Sequence, residues 1–123
     1  MNYDQLQTTA NTMVQKGKGI LAADESTPTC TKRFESISVE STSESRNAYR
    51  DMLFTAKGME EYISGVIMFD ETLRQSTVDG ARLFPEHLSA LKIVPGIKVD
   101  MGAKALSNSP DEKITDGLDG LRD

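Results

Sequence analysis

Two apolar runs of strand length, residues 20–23 and 65–69, stop at the same dipeptide: Asp24-Glu25 after the first and Asp70-Glu71 after the second. The longer run does not alternate apolar with polar residues, and an unbroken run of this length suits a strand covered on both sheet faces. Parallel strands joined by helical connections are therefore expected. In α/β folds ligands collect at the carboxyl ends of the strands, so both acidic stops fall on the edge where polar side chains would meet a substrate. Asp24 is the first catalytic candidate. An equally simple reading makes residues 24–29 a polar turn leaving a strand, with Ser26 or Thr27 capping the next helix. The spacing Gly17-x-Gly19-x-x-Ala22 matches a loose dinucleotide fingerprint, but that motif needs a strand before it and a helix after it. Here a helical pattern precedes the glycines and a strand follows, which excludes it.

Along the chain, Tyr3, Leu6, Ala10, Met13 and Val14 recur at helical spacing, predicting an amphipathic helix that ends at Gly17. A first strand runs to Ala23, and a short helix is expected over residues 31–36. Lys32 and Arg33 beside the polar turn either hold an anion or are solvated. Ser41-Thr42-Ser43-Glu44 has capping-box spacing and predicts a helix start. Its buried face would be Tyr49, Met52, Leu53 and Ala56, with Gly58 as terminator; Arg46 and Arg50, four apart, are expected to be solvated. Pro85 opens a further helix that buries Leu88 and Leu91 and leaves His87 on its surface.

The third strand is expected over residues 96–100, with Ile97 and Val99 on one face and Lys98 and Asp100 on the other. An ammonium is seldom buried without a partner, so Lys98 needs a carboxylate or an anionic ligand, unless it faces water on an edge strand. A polar loop containing Pro110 follows. Leu118 and Leu121 then begin a helical spacing just where the sequence stops, so truncation of a longer domain is expected.

With 123 residues, of which 37% are hydrophobic, the chain could bury the core of one modest domain. A net charge of -5, with acids and bases interspersed, lacks the basic patch of a nucleic-acid surface. No apolar run approaches the roughly 20 residues of a membrane span, and no basic-then-apolar leader opens the chain. A soluble, cytoplasmic protein with no nucleic-acid or membrane partner is the expectation. Cys30 and His87 are the only residues of their types, which excludes an intrachain disulfide and a cysteine and histidine zinc cluster. No metal and no cofactor is expected, and Cys30 is read as a small, partly buried side chain.

Four collinear blocks carry a family resemblance: Gly17-Lys18-Gly19-Ile20-Leu21-Ala22-Ala23-Asp24-Glu25-Ser26-Thr27, Phe69-Asp70-Glu71-Thr72-Leu73, Gly96-Ile97-Lys98-Val99-Asp100 and Asp116-Gly117-Leu118-Asp119-Gly120-Leu121. Together they resemble class I fructose-bisphosphate aldolase. The resemblance implies the amino-terminal portion of a single (β/α)8 TIM-barrel domain, with about three strands within residues 1–123. It implies reversible, metal-independent cleavage of fructose 1,6-bisphosphate to dihydroxyacetone phosphate and glyceraldehyde 3-phosphate, in glycolysis and gluconeogenesis, through a Schiff base on a lysine. A homo-oligomer, a tetramer when full length, is implied as well.

By the same resemblance Asp24 assists carbinolamine and proton-transfer steps. Lys98 binds substrate electrostatically and is not the Schiff-base residue. Ser26 and Thr29 fall at the sugar's 6-phosphate, and Arg33 and Arg46 line the substrate site. Pro28 stands where many relatives carry glycine, Thr29 replaces a frequent serine, and Asn47 stands where many have a second arginine. The Schiff-base lysine, the principal acid-base glutamate and the 1-phosphate site are expected beyond residue 123, so the chain alone is expected to be inactive. The alternative is a non-catalytic association module.

Overall fold

The computed structural model describes residues 2–117. In chain order it contains α1 (Tyr3–Met13), β1 (Gly19–Ala23), α2 (Thr27–Glu35), α3 (Ser43–Phe54), α4 (Met59–Tyr62), β2 (Ile63–Met68), α5 (Asp70–Leu73), α6 (Phe84–Ala90), β3 (Val94–Ile97), β4 (Gly102–Leu106) and β5 (Ser109–Asp116). The first three strands form a parallel sheet in the order β1-β2-β3. β2 is central and the most enclosed, as its unbroken apolar run predicts. Ile20 to Ala23 pair with Gly65 to Met68, and Gly65 to Met68 pair in turn with Val94 to Ile97, so the three strands finish level with one another. That places Asp24, Phe69 and Lys98 on one edge.

The period-2 geometry of strands decides which side chains enter the core. Leu21 and Ala23 of β1 and Val66 and Met68 of β2 join Phe54, Met59, Phe84, Leu88 and Ile93. Phe54 and Phe84 meet edge to face with ring centres 5.1 Å apart, an arrangement favoured by the ring quadrupoles. Among the described residues the opposite face is less covered: Ile20 is 45% exposed, and Ala22 and Ile97 are also exposed. The expectation of a sheet covered on both faces therefore holds for the centre of β2 and not for β1.

Local chemistry shifts several expected boundaries. α1 forms, capped by the Asn2 side chain, but it ends at Met13 and buries none of its residues. Its attachment is at its carboxyl end, where the buried Ser64 hydroxyl donates to the Met13 carbonyl oxygen at 2.6 Å. α2 starts at Thr27, earlier than expected, because Pro28 in its first turn is already set at a helical φ. The capping box of α3 is Thr42 with Ser45, one residue later than the spacing of Ser41 with Glu44 suggested. Met52 is exposed, and Arg50 and Phe54 are buried in its place. α3 ends at Phe54, and Gly58, at φ 82°, leads into α4.

α6 buries Leu88 as expected, while His87 is half-buried and donates from its ring to the Phe54 carbonyl oxygen at 3.0 Å. Residues expected to form a polar loop instead make an antiparallel ribbon of β4 and β5, with Asn108 at φ 63° in the two-residue turn. Leu118 and Leu121, read as the start of a helix, lie outside the described residues.

Candidate active-site edge

Lys98 follows the last residue of β3, and its backbone N-H donates to the Met68 carbonyl oxygen at 2.8 Å, which carries the sheet bonding one residue past the strand. Its side chain lies between two carboxylates. Nζ is 3.4 Å from Asp24 Oδ2, across the edge from β1, and it donates to Asp100 on its own segment. The other Asp100 oxygen accepts from the Gly102 N-H at 3.0 Å, so Asp100 is held in place as it holds the lysine. The hydrogen bond to Asp100 comes first, and with Asp24 beside it the Lys98 ammonium is held above the ordinary lysine pKa. The same contact lowers the Asp100 carboxyl. Lys98 is therefore a fixed cation at neutral pH, suited to an anionic group. A lysine that attacks a carbonyl must be a free amine.

The neighbouring acid points elsewhere. Glu25 is gripped by Arg50 at its carboxylate and, at 2.8 Å, at its backbone oxygen; Arg33 also donates to its carboxylate. Tyr49 Oη lies 3.4 Å from the same carboxylate, and the Arg50 guanidinium stacks 5.0 Å above the Tyr49 ring. Burial pushes the Glu25 carboxyl up, but the hydrogen bond from Arg50 and the bonds that support it outweigh burial and leave its pKa lowered. Arg50 also donates to Cys30 Sγ at 3.6 Å, and the buried thiol is pushed up, burial being the main cause. Cys30 is thus fully buried, more so than its sequence suggested.

Ser26 is the N-cap residue of α2, but its side chain makes no capping bond; its Oγ sits 3.2 Å from Thr29 Oγ1. The two hydroxyls are side by side at the start of the helix. Arg46 makes a two-pronged contact with Glu71, at 2.8 and 2.6 Å, and also donates to the Ser41 carbonyl oxygen at 3.1 Å. The Arg46–Glu71 hydrogen bond is the largest cause of the lowered Glu71 carboxyl and of the raised Arg46. Ser26, Thr29, Arg33 and Arg46 thus follow the carboxyl end of β1 in the chain, and the two arginines are occupied by Glu25 and Glu71, which follow β1 and β2.

Sequence reasoning missed Glu25, Arg50 and Glu71. Two acidic dipeptides at strand ends and two arginines four apart on one helix were the available signal. Among the described residues no three or more histidine, cysteine or acidic side chains gather into a metal-binding group, and no helix is long and apolar enough to cross a membrane.

The family model for fructose-bisphosphate aldolase class-I matches residues 5–123. A probable fructose-bisphosphate aldolase class 1 from Xanthomonas axonopodis pv. citri is 53% identical over 122 residues, which are 99% of this chain and 36% of that protein. The chloroplastic fructose-bisphosphate aldolase 1 of Chlamydomonas reinhardtii is 54% identical over 97% of this chain and 32% of its own length. Among solved structures, fructose-bisphosphate aldolase from Plasmodium falciparum, in complex with TRAP and a small-molecule inhibitor, superposes with a TM-score of 0.87 at 51% identity, covering 96% of this chain and 34% of the other. The chain thus spans about a third of the length of these relatives. Its three level parallel strands are consistent with the amino-terminal part of a TIM barrel, and the chain belongs to the class I fructose-bisphosphate aldolase family.

Proposed function

We propose that this chain supplies the Asp24–Lys98 edge of a Schiff-base aldolase that cleaves fructose 1,6-bisphosphate reversibly to dihydroxyacetone phosphate and glyceraldehyde 3-phosphate. The observation that carries this reading is the approach of Lys98 to Asp24 across the carboxyl edge of the sheet. Asp24 moves protons at the substrate's carbonyl end. Lys98, a cation at neutral pH, binds the substrate's negative charge. Ser26 and Thr29 receive a phosphate, for which adjacent hydroxyls and the backbone N-H groups of Thr27 and Thr29 in the first turn of α2 are suitable donors. Arg33 and Arg46 line the same site, each now held by a carboxylate that an incoming phosphate would have to displace.

The Schiff-base lysine is supplied from outside residues 1–123, which form the amino-terminal portion of one barrel domain. The whole enzyme is a cytoplasmic, glycolytic and gluconeogenic homotetramer. The test is the intact mass of the 123-residue chain after incubation with dihydroxyacetone phosphate and borohydride, which reduces an imine to a stable amine. No adduct on this chain, with one appearing when the carboxyl-terminal two thirds of a relative is joined to it, is the expected result. An adduct on the chain alone would make one of its own lysines the nucleophile and refute the placing of the Schiff-base lysine outside it; an adduct mapped to Lys98 would refute the role given to Lys98.

A second reading, association without catalysis, draws on the exposed side chains of β1 and β3 and on the outer edges of the three-stranded sheet, which are unpaired among the described residues. Sedimentation that depends on concentration, from a folded and catalytically silent chain, would favour it.

A further inference from the structure

Asp24 and Glu25 are consecutive acids just after β1, and their side chains take different partners: Lys98 for Asp24, Arg33 and Arg50 for Glu25. A turn free to rotate would offer Lys98 either one. We propose that Arg50 is the positioning residue of the turn between β1 and α2, and that by gripping Glu25 it presents Asp24 to Lys98. This rests on the aldolase reading only in treating the Asp24–Lys98 pair as the reacting edge.

The grip has the features a positioning residue needs. Arg50 is only 2% exposed and belongs to α3, an element separate from the turn it holds. It holds Glu25 at two points, the side-chain carboxylate and the backbone oxygen at 2.8 Å, and so fixes the peptide as well as the side chain. The contact to Cys30 Sγ at 3.6 Å ties the same guanidinium to the next turn of α2, and the Tyr49 ring supports its face. Arg33 and Tyr49 close around the same carboxylate, so Glu25 has three side-chain partners and Lys98 is not among them. Asp24 is left with Lys98. Lysine is not equivalent to arginine here, because an ammonium is a single point charge and lacks the planar fork that reaches carboxylate and carbonyl together.

The test is nuclear magnetic resonance on the isotope-labelled 123-residue chain, comparing wild type with Arg50→Met and Arg50→Lys. Two sets of through-space cross-peaks are read: Lys98 ε-protons to Asp24 β-protons, and the β1–β2 register pairs Ile20 with Gly65 and Ala22 with Ile67. Loss of a charge-assisted hydrogen bond shifts the turn's populations by roughly tenfold. The Lys98–Asp24 cross-peak should therefore collapse in Arg50→Met while the register cross-peaks stay, and Arg50→Lys should keep more of it by retaining a cation beside Glu25. An unchanged Lys98–Asp24 cross-peak in Arg50→Met overturns the proposal. So does equal loss in the two variants, and so does disappearance of the register cross-peaks in both, because Arg50 would then hold the fold and not the turn. No substrate enters this experiment, so its failure leaves the aldolase reading standing. Failure of the borohydride experiment, conversely, leaves the role of Arg50 standing.

Discussion

The Glu25–Arg50 pair is asymmetric, and the asymmetry can be measured. Arg50 is 2% exposed at its side chain, and Glu25 is 14% exposed. Glu25→Ala leaves a buried guanidinium with no carboxylate, facing the residue-25 backbone oxygen, a sulfur and the Tyr49 ring, and breaking a buried pair in this way costs about 3–5 kcal/mol. Arg50→Met preserves much of the arginine stem's volume and leaves the Glu25 carboxylate with Arg33, Tyr49 and some water. Both Glu25 oxygens that lose Arg50, the carboxylate and the backbone oxygen, keep another partner, so the cost is about 1–3 kcal/mol. With a urea slope of ~1–3 kcal/mol per molar, the two midpoints should differ by about 1 M, Glu25→Ala unfolding first. The chain has no tryptophan, so far-ultraviolet circular dichroism is the suitable probe. Equal midpoints, or an earlier transition in Arg50→Met, would refute the claim that the buried charge is the vulnerable partner.

Four other perturbations follow from the structure. Glu25 and Glu71 have lowered carboxyl pKa values, so their stabilisation is complete above the ordinary glutamate value of about 4.3 and is lost as pH falls through the folded values. The thermal midpoint should fall on that acid limb, and Glu71→Gln should flatten it. Lys98 is raised, so its contribution is complete below the ordinary lysine value of about 10.4 and is lost as pH rises through the folded one; Lys98→Met should flatten the alkaline limb. Gly117→Ala would place a Cβ 2.5 Å from the Met101 nitrogen at φ 117°, at a cost of at least about 1–3 kcal/mol in backbone strain. The Met101 amide, which donates to the Asp116 carbonyl oxygen at 2.7 Å, should then exchange faster with solvent. Ser64→Ala leaves the Met13 and Gly19 carbonyl oxygens without a hydroxyl donor, costs about 1 kcal/mol and should speed amide exchange in α1.

What could be read from the sequence was whatever rests on local pattern. β1 and β2 lie where their apolar runs place them, because burying those runs is what fixes their position. β3 was expected to begin after Pro95, yet it contains that proline. A proline is tolerated on a strand whose outer side has no pairing partner, and β3 has only β2 beside it among the described residues. The ribbon of β4 and β5 was illegible because most of its side chains are exposed, so no apolar alternation marks it. The sequence left Lys98 with a carboxylate, an anionic ligand or water on an edge strand; the structure gives it two carboxylates and, among the described residues, also an edge strand, because the cost of an unpaired ammonium calls for a partner without naming one. Arg50 was misread as solvated for the opposite reason: its partner is distant in sequence, and helical spacing alone treats a charged side chain as surface.

The two acidic dipeptides and the two arginines of α3 form one device. Residues four apart on a helix are separated by about 6 Å along its axis, and adjacent strands lie about 4.8 Å apart. A helix laid across the ends of two neighbouring strands can therefore offer one arginine to each. Arg50 takes the acid after β1 and Arg46 the acid after β2, in both cases the second residue of the dipeptide. The first residues are left to other tasks. Asp70 pairs with Arg74 one turn along on an exposed surface, where an ion pair contributes little. Asp24 has no such local partner, and Lys98 reaches it from β3. Duplication of the acid thus separates the demands placed on a strand end: Glu25 and Glu71 fix the edge of the sheet to α3, and Asp24 faces the cation with which it would act.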